Sequence, residues 1–213
     1  MIPLANRAGV NAATGMLQSV TLEGEIVRLE PLTGAHSAAL CAVGLDEELW
    51  RWIPYAVRTP EEMDSYLGKA IEARDNGTAL PFCVIDKVTG EAIGSTRYLN
   101  IDLPNKRLEI GSTWIGRKWQ RTAVNTEMKY LMLKHAFEIL GMNRVELKTD
   151  SMNEKSRRAI LRIGAREEGI LRKHMVTYSG RIRDTVYYSV IDSEWPQVKL
   201  DLEAMLSVRN SRG

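Results

Sequence analysis

The sequence has few of the residues that build disulfide frameworks or metal sites. Its 213 residues include only two cysteines, Cys41 and Cys83, and the apolar neighbours of both indicate reduced core residues. The three histidines, His36, His135 and His174, are scattered, and no pair has the spacing of metal ligands. We therefore expect a fold that needs neither disulfides nor a metal.

Long apolar runs and a strong charge imbalance are also missing. No run approaches the roughly 20 residues of a membrane span, and the formal net charge is only +2. These absences argue against a membrane or a nucleic acid as partner. The first residues, MIPLANRAGVNAATGMLQ, lack the charged end and apolar core of a secretory signal, so we expect a cytoplasmic protein.

The composition that remains suits a single α/β domain, because 44% of the residues are hydrophobic and can form a sizeable core. We assign residues 1–19 to an N-terminal arm and residues 20–213 to one domain with a C-terminal helix. Alternating segments predict strands in EGEIVRLEPL, LPFCVIDKVTGEAIGSTRYLNID, KRLEIGSTWI, NRVELKTD and GILRKHMVTYSGRIRDTVYYSVI.

Helical spacing separates several of these strands. A helix is predicted after Thr59, which can act as its cap, and another over Thr126 to Leu140. In the strand before that second helix, Leu108, Ile110, Ser112 and Trp114 are expected on one face. The segment 108–150 reads strand, helix, strand, which indicates one parallel crossover. The prediction is a mixed, mostly antiparallel sheet with helices on both faces.

The loop before the second helix is the first candidate for a binding site. It runs from Gln120 through Arg121, Thr122, Ala123 and Val124 to Asn125. A helix N-terminus offers free N–H groups and a partial positive charge, to which Arg121 adds a cation and Thr122 a hydroxyl donor. This favours a phosphate site, although an ordinary strand-to-helix turn would look the same.

Together with the order of elements, this loop resembles the GNAT acetyltransferase superfamily, in its Rim-type branch of ribosomal-protein N-terminal acetyltransferases. The resemblance covers roughly residues 20–198. The family's acyl-CoA loop reads Gln/Arg-x-x-Gly-x-Gly/Ala, and Ala123 and Asn125 stand here for its two small residues. Further resemblance to this branch lies in the segment NEKSRRAILRIGA and in the Glu194-Trp195 pair.

The resemblance implies a sheet of about seven strands that splays between the fourth and fifth, KRLEIGSTWI and NRVELKTD. It also implies a reaction, in which an acetyl group passes from acetyl-CoA to a primary amine by direct attack in a ternary complex. The implied acetyl-CoA-binding residues are Trp114, Ile115, Gln120, Arg121, Thr122, Ala123, Val124, Asn125, Thr126, Asn153 and Ser156.

Three catalytic candidates follow from the same resemblance. Ser156 is the candidate acid for the leaving thiolate, or else a solvated helix hydroxyl. Glu109 is the candidate base, acting through a water, or else a surface carboxylate paired with Arg97 or Arg107. Tyr187 is the third candidate, near the acyl end, unless it belongs to the core.

Two matters stay open at this point. The acceptor is expected to be a peptide N-terminus or a small amine, and Trp50, Trp52 and Tyr55 are placed either to wall its cleft or to pack helices on the sheet. The altered loop also allows a non-catalytic acyl-CoA-binding or regulatory module. The resemblance favours a homodimer, because many relatives pair through strands or the C-terminal hairpin.

Overall fold

The computed structural model of the chain describes residues 8–210. The strands are β1 (Leu22–Glu23), β2 (Val27–Pro31), β3 (Ala79–Asp86), β4 (Ala92–Asp102), β5 (Arg107–Ile115), β6 (Arg144–Asp150), β7 (Arg166–Val176) and β8 (Ile182–Ile191). The α-helices are α1 (Ser37–Gly44), α2 (Pro60–Asp75), α3 (Val124–Lys134), α4 (Glu154–Arg162) and α5 (Trp195–Asn210). No helix in residues 8–210 is long and apolar enough to cross a bilayer.

The strands form one open sheet in the order β1-β2-β3-β4-β5-β6-β8-β7. Only β5 and β6 pair in parallel, and α3 lies in the crossover between them. The other neighbours are antiparallel; α1 and α2 separate β2 from β3 in the chain, and β8 lies between β6 and the edge strand β7. The predicted mixed sheet is confirmed, and the two-residue β1 is a strand beyond the seven expected.

Each face of the sheet carries its own apolar core. On one face α3 and α5 pack through residues such as Met128, Met132 and Leu202, whereas α1 and α2 cover the other through Leu40 and Met63. Helices on both faces are thus confirmed. The cap predicted for α2 is also present, because the Thr59 hydroxyl accepts the N–H of Glu62 at 3.2 Å.

A bulge interrupts β5 at Ser112, whose φ is +48°. The β4–β5 register shifts across it, and the side-chain alternation reverses as it does at β-bulges. Leu108 and Ile110 therefore pack under α3, whereas Trp114 lies in the core under α1 and α2. The expectation that these residues share one face is wrong, because simple alternation holds only up to the bulge.

The long helix predicted over residues 126–140 is two elements. It is α-helical to Lys134 and continues as a π-helical turn, His135–Ile139, in which the N–H of Leu140 bonds to the carbonyl of His135. The buried Tyr98 hydroxyl donates to the carbonyl of Met132 at 2.7 Å, just before this turn.

Glu127 ties α3 to the start of the sheet. Its buried carboxylate accepts three backbone N–H groups, from Glu25 at 2.9 Å and from Ile26 and Val27 at 2.7 Å. Gly24 leaves room for it, since a Cβ there would lie 2.4 Å from the carboxyl carbon. This carboxylate therefore fixes the chain entering β2.

The N-terminal arm lies on the body of the protein from residue 8 onward, while residues 1–7 of that predicted segment lie outside the described residues. Val10 pairs with Leu17 in an isolated bridge and is buried in the core under α3. The described part of the arm is therefore packed against the domain through Val10.

Candidate active site

The parallel strands β5 and β6 separate soon after they meet. They pair over only three positions, Arg107 with Arg144, Leu108 with Val145, and Glu109 with Glu146. Residues 110–115 and 147–150 then have no strand between them, so the sheet opens into a gap. This is the splay expected between the fourth and fifth predicted strands, which are β5 and β6 in the structure.

The loop after β5 enters α3 with its left-handed residue at an unexpected place. Arg121 has φ of +64°, whereas Ala123 has φ of −74° and ψ of −13° in the N-cap position. Asn125 lies inside α3, and its φ is not positive. Neither non-glycine residue of the motif therefore strains the backbone, and Asn125 is neither the cap of α3 nor a left-handed residue.

The first turn of α3 presents backbone N–H donors at the side of the sheet where β5 and β6 no longer pair. Among the described residues the N–H groups of Asn125 and Thr126 meet no acceptor, as is usual at a helix start. The Thr122 hydroxyl is already engaged, since it donates to the carbonyl of Trp119 at 2.6 Å and accepts the N–H of Val124 at 3.3 Å. Its predicted role as a ligand donor is therefore not available in this arrangement.

Gln120 connects this loop to both sides of the gap. Its amide nitrogen donates to the carbonyl of Ile115 at 2.9 Å, and its amide oxygen accepts from the Lys155 ammonium of α4. Burial and then the nearby charges of Arg121 and Arg117 lower the pKa of Lys155. These cations stand close enough to repel one another, which makes the start of α3 suited to an anion such as phosphate.

Asn153 and Ser156 lie on the first turn of α4, directly after β6. Asn153 Oδ1 caps the helix by accepting the N–H of Ser156 at 3.1 Å. Within residues 8–210 the Asn153 amide NH₂ and the Ser156 hydroxyl meet no partner, and both residues are half-buried. They are therefore free to donate to a ligand.

The remaining predicted ligand-binding residues contribute differently. The side chains of Trp114, Ile115 and Val124 are buried in the two cores, so only their backbones face the gap region. The Thr126 hydroxyl accepts from the Arg162 guanidinium at 3.0 Å and joins α3 to α4. Of Thr126, too, only the backbone is left for a ligand.

Glu109 occupies the last paired position of β5, where the gap begins. It is 7% exposed, and its Oε2 accepts from the Asn100 amide at 2.7 Å and from the Lys148 ammonium at 2.8 Å. The expectation of a surface carboxylate paired with Arg97 or Arg107 is wrong. Oε1 meets no donor among the described residues, and Gly111 leaves space beside it, since a Cβ there would be 2.9 Å away.

Lys148, which sequence reasoning missed, brings Glu109 and Tyr187 together. Its ammonium lies 4.4 Å from the centre of the Tyr187 ring, on the neighbouring strand β8. Burial opposes the charged form, but the hydrogen bond and charge of Glu109, and then those of Tyr187, outweigh it and raise the pKa of Lys148. In the sequence, the available signal for Lys148 was that it is a charged residue inside the alternating strand NRVELKTD.

Of the two adjacent tyrosines, Tyr187 is the one at the gap. It is half-buried and its ring meets His174 edge-on at 5.8 Å, whereas Tyr188 is fully buried in the core under α3. The structure therefore places Glu109 and Tyr187 in one cluster. Ser156 lies on α4 and makes no described contact with either of them.

The linker between α1 and α2 covers this face of the gap. The Tyr55 hydroxyl donates to Ser112 Oγ at 2.9 Å, right at the β5 bulge. Trp50 is fully buried and donates to the carbonyl of Gly44, so it packs the helices, whereas Trp52 is half-buried. The packing role thus occurs in Trp50, and the cleft-wall role stays a prediction for Trp52 and Tyr55.

A second buried lysine lies on the α3 side. Lys129 is 6% exposed, and its ammonium donates to Thr113 Oγ1 at 2.8 Å, with no carboxylate in ion-pair contact among the described residues. Burial lowers the pKa of Lys129 to about 7. The sequence showed it only as one lysine of an amphipathic helix.

Comparison with known proteins identifies relatives. A family model described as acetyltransferase (GNAT) domain matches residues 27–166. The protein named putative ribosomal N-acetyltransferase YdaF from Bacillus subtilis is 36% identical over 106 residues, which are 50% of this chain and 57% of that relative. The uncharacterized N-acetyltransferase YoaA of the same species is 25% identical over 80% of this chain and 96% of its own.

Solved structures agree with the fold. A GCN5-related N-acetyltransferase from Brucella melitensis superimposes with a TM-score of 0.82 at 37% identity, covering 88% of this chain and 85% of its own. RimJ of Mycobacterium smegmatis, solved in complex with CoA-disulfide, gives a TM-score of 0.75 at 23% identity over 88% of this chain and 92% of its own. The second likeness concerns the fold alone.

Proposed function

The chain belongs to the GNAT acetyltransferase family and is an N-acetyltransferase, and from this premise we propose that it moves an acetyl group from acetyl-CoA to a primary amine. The acceptor is a peptide N-terminus or a small amine, which attacks the thioester directly in a ternary complex. The observation that carries the proposal is the gap between β5 and β6, with donors at one end and a buried carboxylate at the other.

The donor end has the groups that acetyl-CoA requires. The free N–H groups of Asn125 and Thr126, with Arg121 and Lys155 nearby, suit a pyrophosphate. The Asn153 amide is placed to donate to the pantetheine arm from the first turn of α4. When bound, acetyl-CoA supplies a thioester, an activated acyl group with a thiolate leaving group.

The acid–base groups come from both ends of the gap, with Glu109 at the paired end and Ser156 on the first turn of α4. Glu109, through Oε1 and a water, accepts a proton from the amine, and Lys148 holds its other oxygen in place. A peptide α-amino group has a pKa of about 8, so it needs little help to become neutral. Ser156 delivers a proton to the leaving thiolate, and Tyr187 borders the acyl end.

Family membership supports the enzyme over a non-catalytic acyl-CoA-binding module, and no described feature favours the second. The "ribosomal" in the name of YdaF, together with the Rim-type motifs, supports a peptide N-terminus as the acceptor. The cytoplasmic location and the homodimer remain predictions.

The test has two steps. Isothermal calorimetry measures acetyl-CoA and CoA binding, and a thiol-release assay with a panel of amines then measures transfer. We expect micromolar binding, and a kcat for Ser156→Ala reduced about 10-fold or more with the acetyl-CoA Kd unchanged. Ser207→Ala, on the exposed side of α5, is the matched control. No binding up to millimolar acetyl-CoA would reject the proposal.

A further inference from the structure

Among the described residues, buried side-chain polar atoms without a hydrogen-bond partner are confined to three side chains. They are Nε and Nη2 of Arg97, Nε of Arg183 and Oγ1 of Thr185. These residues are 7%, 6% and 1% exposed. Buried polar groups are normally paired, and a buried guanidinium without an acceptor is especially costly, so such exceptions point to a ligand.

Arg97 lies on the face of the sheet that the α1–α2 linker covers. Its neighbour in β4, Tyr98, points the other way and bonds to Met132 of α3. The Arg97 guanidinium therefore faces α2, where its carbon lies 4.8 Å from the centre of the Tyr66 ring. In the β4–β5 register Arg97 is opposite Gly111, two residues past Glu109 and next to the bulge.

Arg183 and Thr185 lie on the same face, in β8. The alternating residues Val186 and Tyr188 belong to the core under α3, which turns Arg183 and Thr185 toward the linker. Arg183 Nη1 donates to the carbonyl of Trp52 at 3.3 Å. The pKa of Arg183 is lowered, because burial and the charge of Arg181 outweigh the opposing charges of Asp150, Glu109 and Tyr187.

The carboxylates of this face are already taken by other cations. Glu109 pairs with Lys148, and Asp150 pairs with Arg181. Neither Arg97 nor Arg183 forms an ion pair with a carboxylate in the described part of the chain. The layer beside the proposed acyl end thus holds two guanidinium groups that no carboxylate of the described residues contacts directly.

We propose, on the premise of the proposed function, that the acceptor amine carries a carboxylate, and that Arg183 and Arg97 are the specificity-determining residues that recognise it. Arg183 binds the carboxylate, because it shares a face of β8 with Tyr187 and is within electrostatic reach of Glu109. Arg97 supplies a second positive site at the bulge, and Thr185 adds a hydroxyl donor. A free amino acid and a peptide with an acidic residue near its N-terminus both have this chemistry.

A carboxylate suits the site better than a phosphate. It carries one charge and matches the planar fork of a guanidinium, so less charge has to leave water for a layer that is less than a tenth exposed. A neutral acceptor would leave both guanidinium groups buried and unpaired.

The experiment compares acceptors that differ only in this charge. The pairs are L-leucine with L-leucinamide, and the peptide amides of Ser-Glu-Ala with those of Ser-Gln-Ala, so that the two sources of carboxylate are separated. We expect kcat/KM to be about 10- to 100-fold higher for the charged member of at least one pair. Equal values in both pairs, or a preference for the neutral members, would overturn the proposal, as would a preference for O-phosphoserine amide over either carboxylate.

Arg183→Met is the decisive variant. It should raise KM for the charged acceptor and abolish the discrimination between the charged and neutral members of a pair, with little change in acetyl-CoA affinity. Arg183→Lys should retain part of the discrimination between the two acceptors. The control is Arg166→Met, at an exposed position of β7, which should leave the discrimination unchanged. Because Arg183 is buried without an anion, Arg183→Met should also leave the melting temperature equal or higher, and a clear fall would contradict the proposal.

A binding measurement separates this inference from the proposed function. N-acetyl-leucine and N-acetyl-leucinamide are titrated into the protein with CoA present, so that no turnover is needed, and the N-acetylated tripeptides follow. Tighter binding of the carboxylate form in either pair, lost in Arg183→Met, supports carboxylate recognition even where no acetyl transfer occurs. If acetyl-CoA binds and transfers but neither pair is discriminated, the proposed function stands and the carboxylate inference fails.

Discussion

The ammonium of Lys148 lies 2.8 Å from Oε2 of Glu109 at the point where β5 and β6 stop pairing. The same ammonium is 3.6 Å from Glu146, which faces Glu109 across the parallel pair. One lysine thus serves two carboxylates that would otherwise repel each other across the strands. This arrangement holds β5 and β6 together where the gap begins, and it leaves Oε1 of Glu109 free to act as the proposed base.

Glu109→Gln should reduce turnover. The amide keeps the size of the side chain and can still accept from Lys148, but it cannot take a proton, so we expect kcat to fall about 100-fold or more. Steady-state kinetics measures kcat, and calorimetry should show an unchanged acetyl-CoA Kd. Glu91→Gln, an exposed carboxylate of the β3–β4 turn, is the control. A kcat equal to that of the wild type would remove Glu109 as the base.

Two substitutions at Asn153 separate helix capping from ligand binding. Asn153→Asp keeps the oxygen that caps α4 but loses the NH₂ donor, so the acetyl-CoA Kd should rise about 3- to 10-fold with little change in melting temperature. Asn153→Ala loses both groups and should also lower the free energy of unfolding by about 1 kcal/mol. Calorimetry and urea unfolding measure the two effects. Unchanged affinity in both variants would reject the ligand role.

Lys129 should make stability depend on pH. Its pKa is about 7 in the folded protein and about 10.5 in the unfolded chain. Between these values the unfolded chain binds a proton that the folded protein has released, so the free energy of unfolding should rise with pH from about 7 to about 10.5. Below pH 7 both states are protonated and this contribution is flat.

Urea unfolding of the wild type and Lys129→Met across this range tests the assignment. The methionine variant should lose the rise and be more stable than the wild type at pH 6, because it has no charge to bury. Lys69→Met, at an exposed position of α2, should follow the wild type. Parallel pH curves for wild type and Lys129→Met would contradict the prediction.

Glu127 should matter for stability rather than for transfer. Glu127→Ala leaves three backbone N–H groups near the start of β2 without an acceptor, so we expect the free energy of unfolding to fall by about 3 kcal/mol or more. Glu127→Gln keeps one acceptor oxygen and should lose less. Urea unfolding measures both, with Glu72→Gln on exposed α2 as control. A loss below about 1 kcal/mol for the alanine variant would contradict this role.

The sequence predicted the elements that depend on local patterns. The order of strands and helices, the cap at Thr59 and the parallel crossover all follow from periodicity and turn residues, and the splay followed from family resemblance. The bulge at Ser112 and the left-handed Arg121 did not, because serine and arginine carry no signal for positive φ. Both arise from pairing with neighbouring strands and loops, which a single sequence does not show.

For the same reason, the sequence predicted the candidate site only in part. Motif positions such as Gln120, Asn153 and Glu109 were identified, but their partners Lys155 and Lys148 were not, since these contacts span 35 and 39 residues of chain. The unpaired Arg97 and Arg183 are visible only once burial is known. Distance along the chain, rather than the chemistry of the residues, limited the prediction.

The short parallel pairing of β5 and β6 also has a consequence for how the chain folds. It is the sole strand contact between two antiparallel units, β1–β5 and β6–β8, and it closes a loop that contains all of α3. The hairpins β3–β4, β4–β5 and β7–β8 form between neighbouring segments, whereas the β5–β6 pairing and the core under α3 form only after that long loop closes. The two units should therefore form before they join, and a change at the join should speed unfolding more than it slows folding.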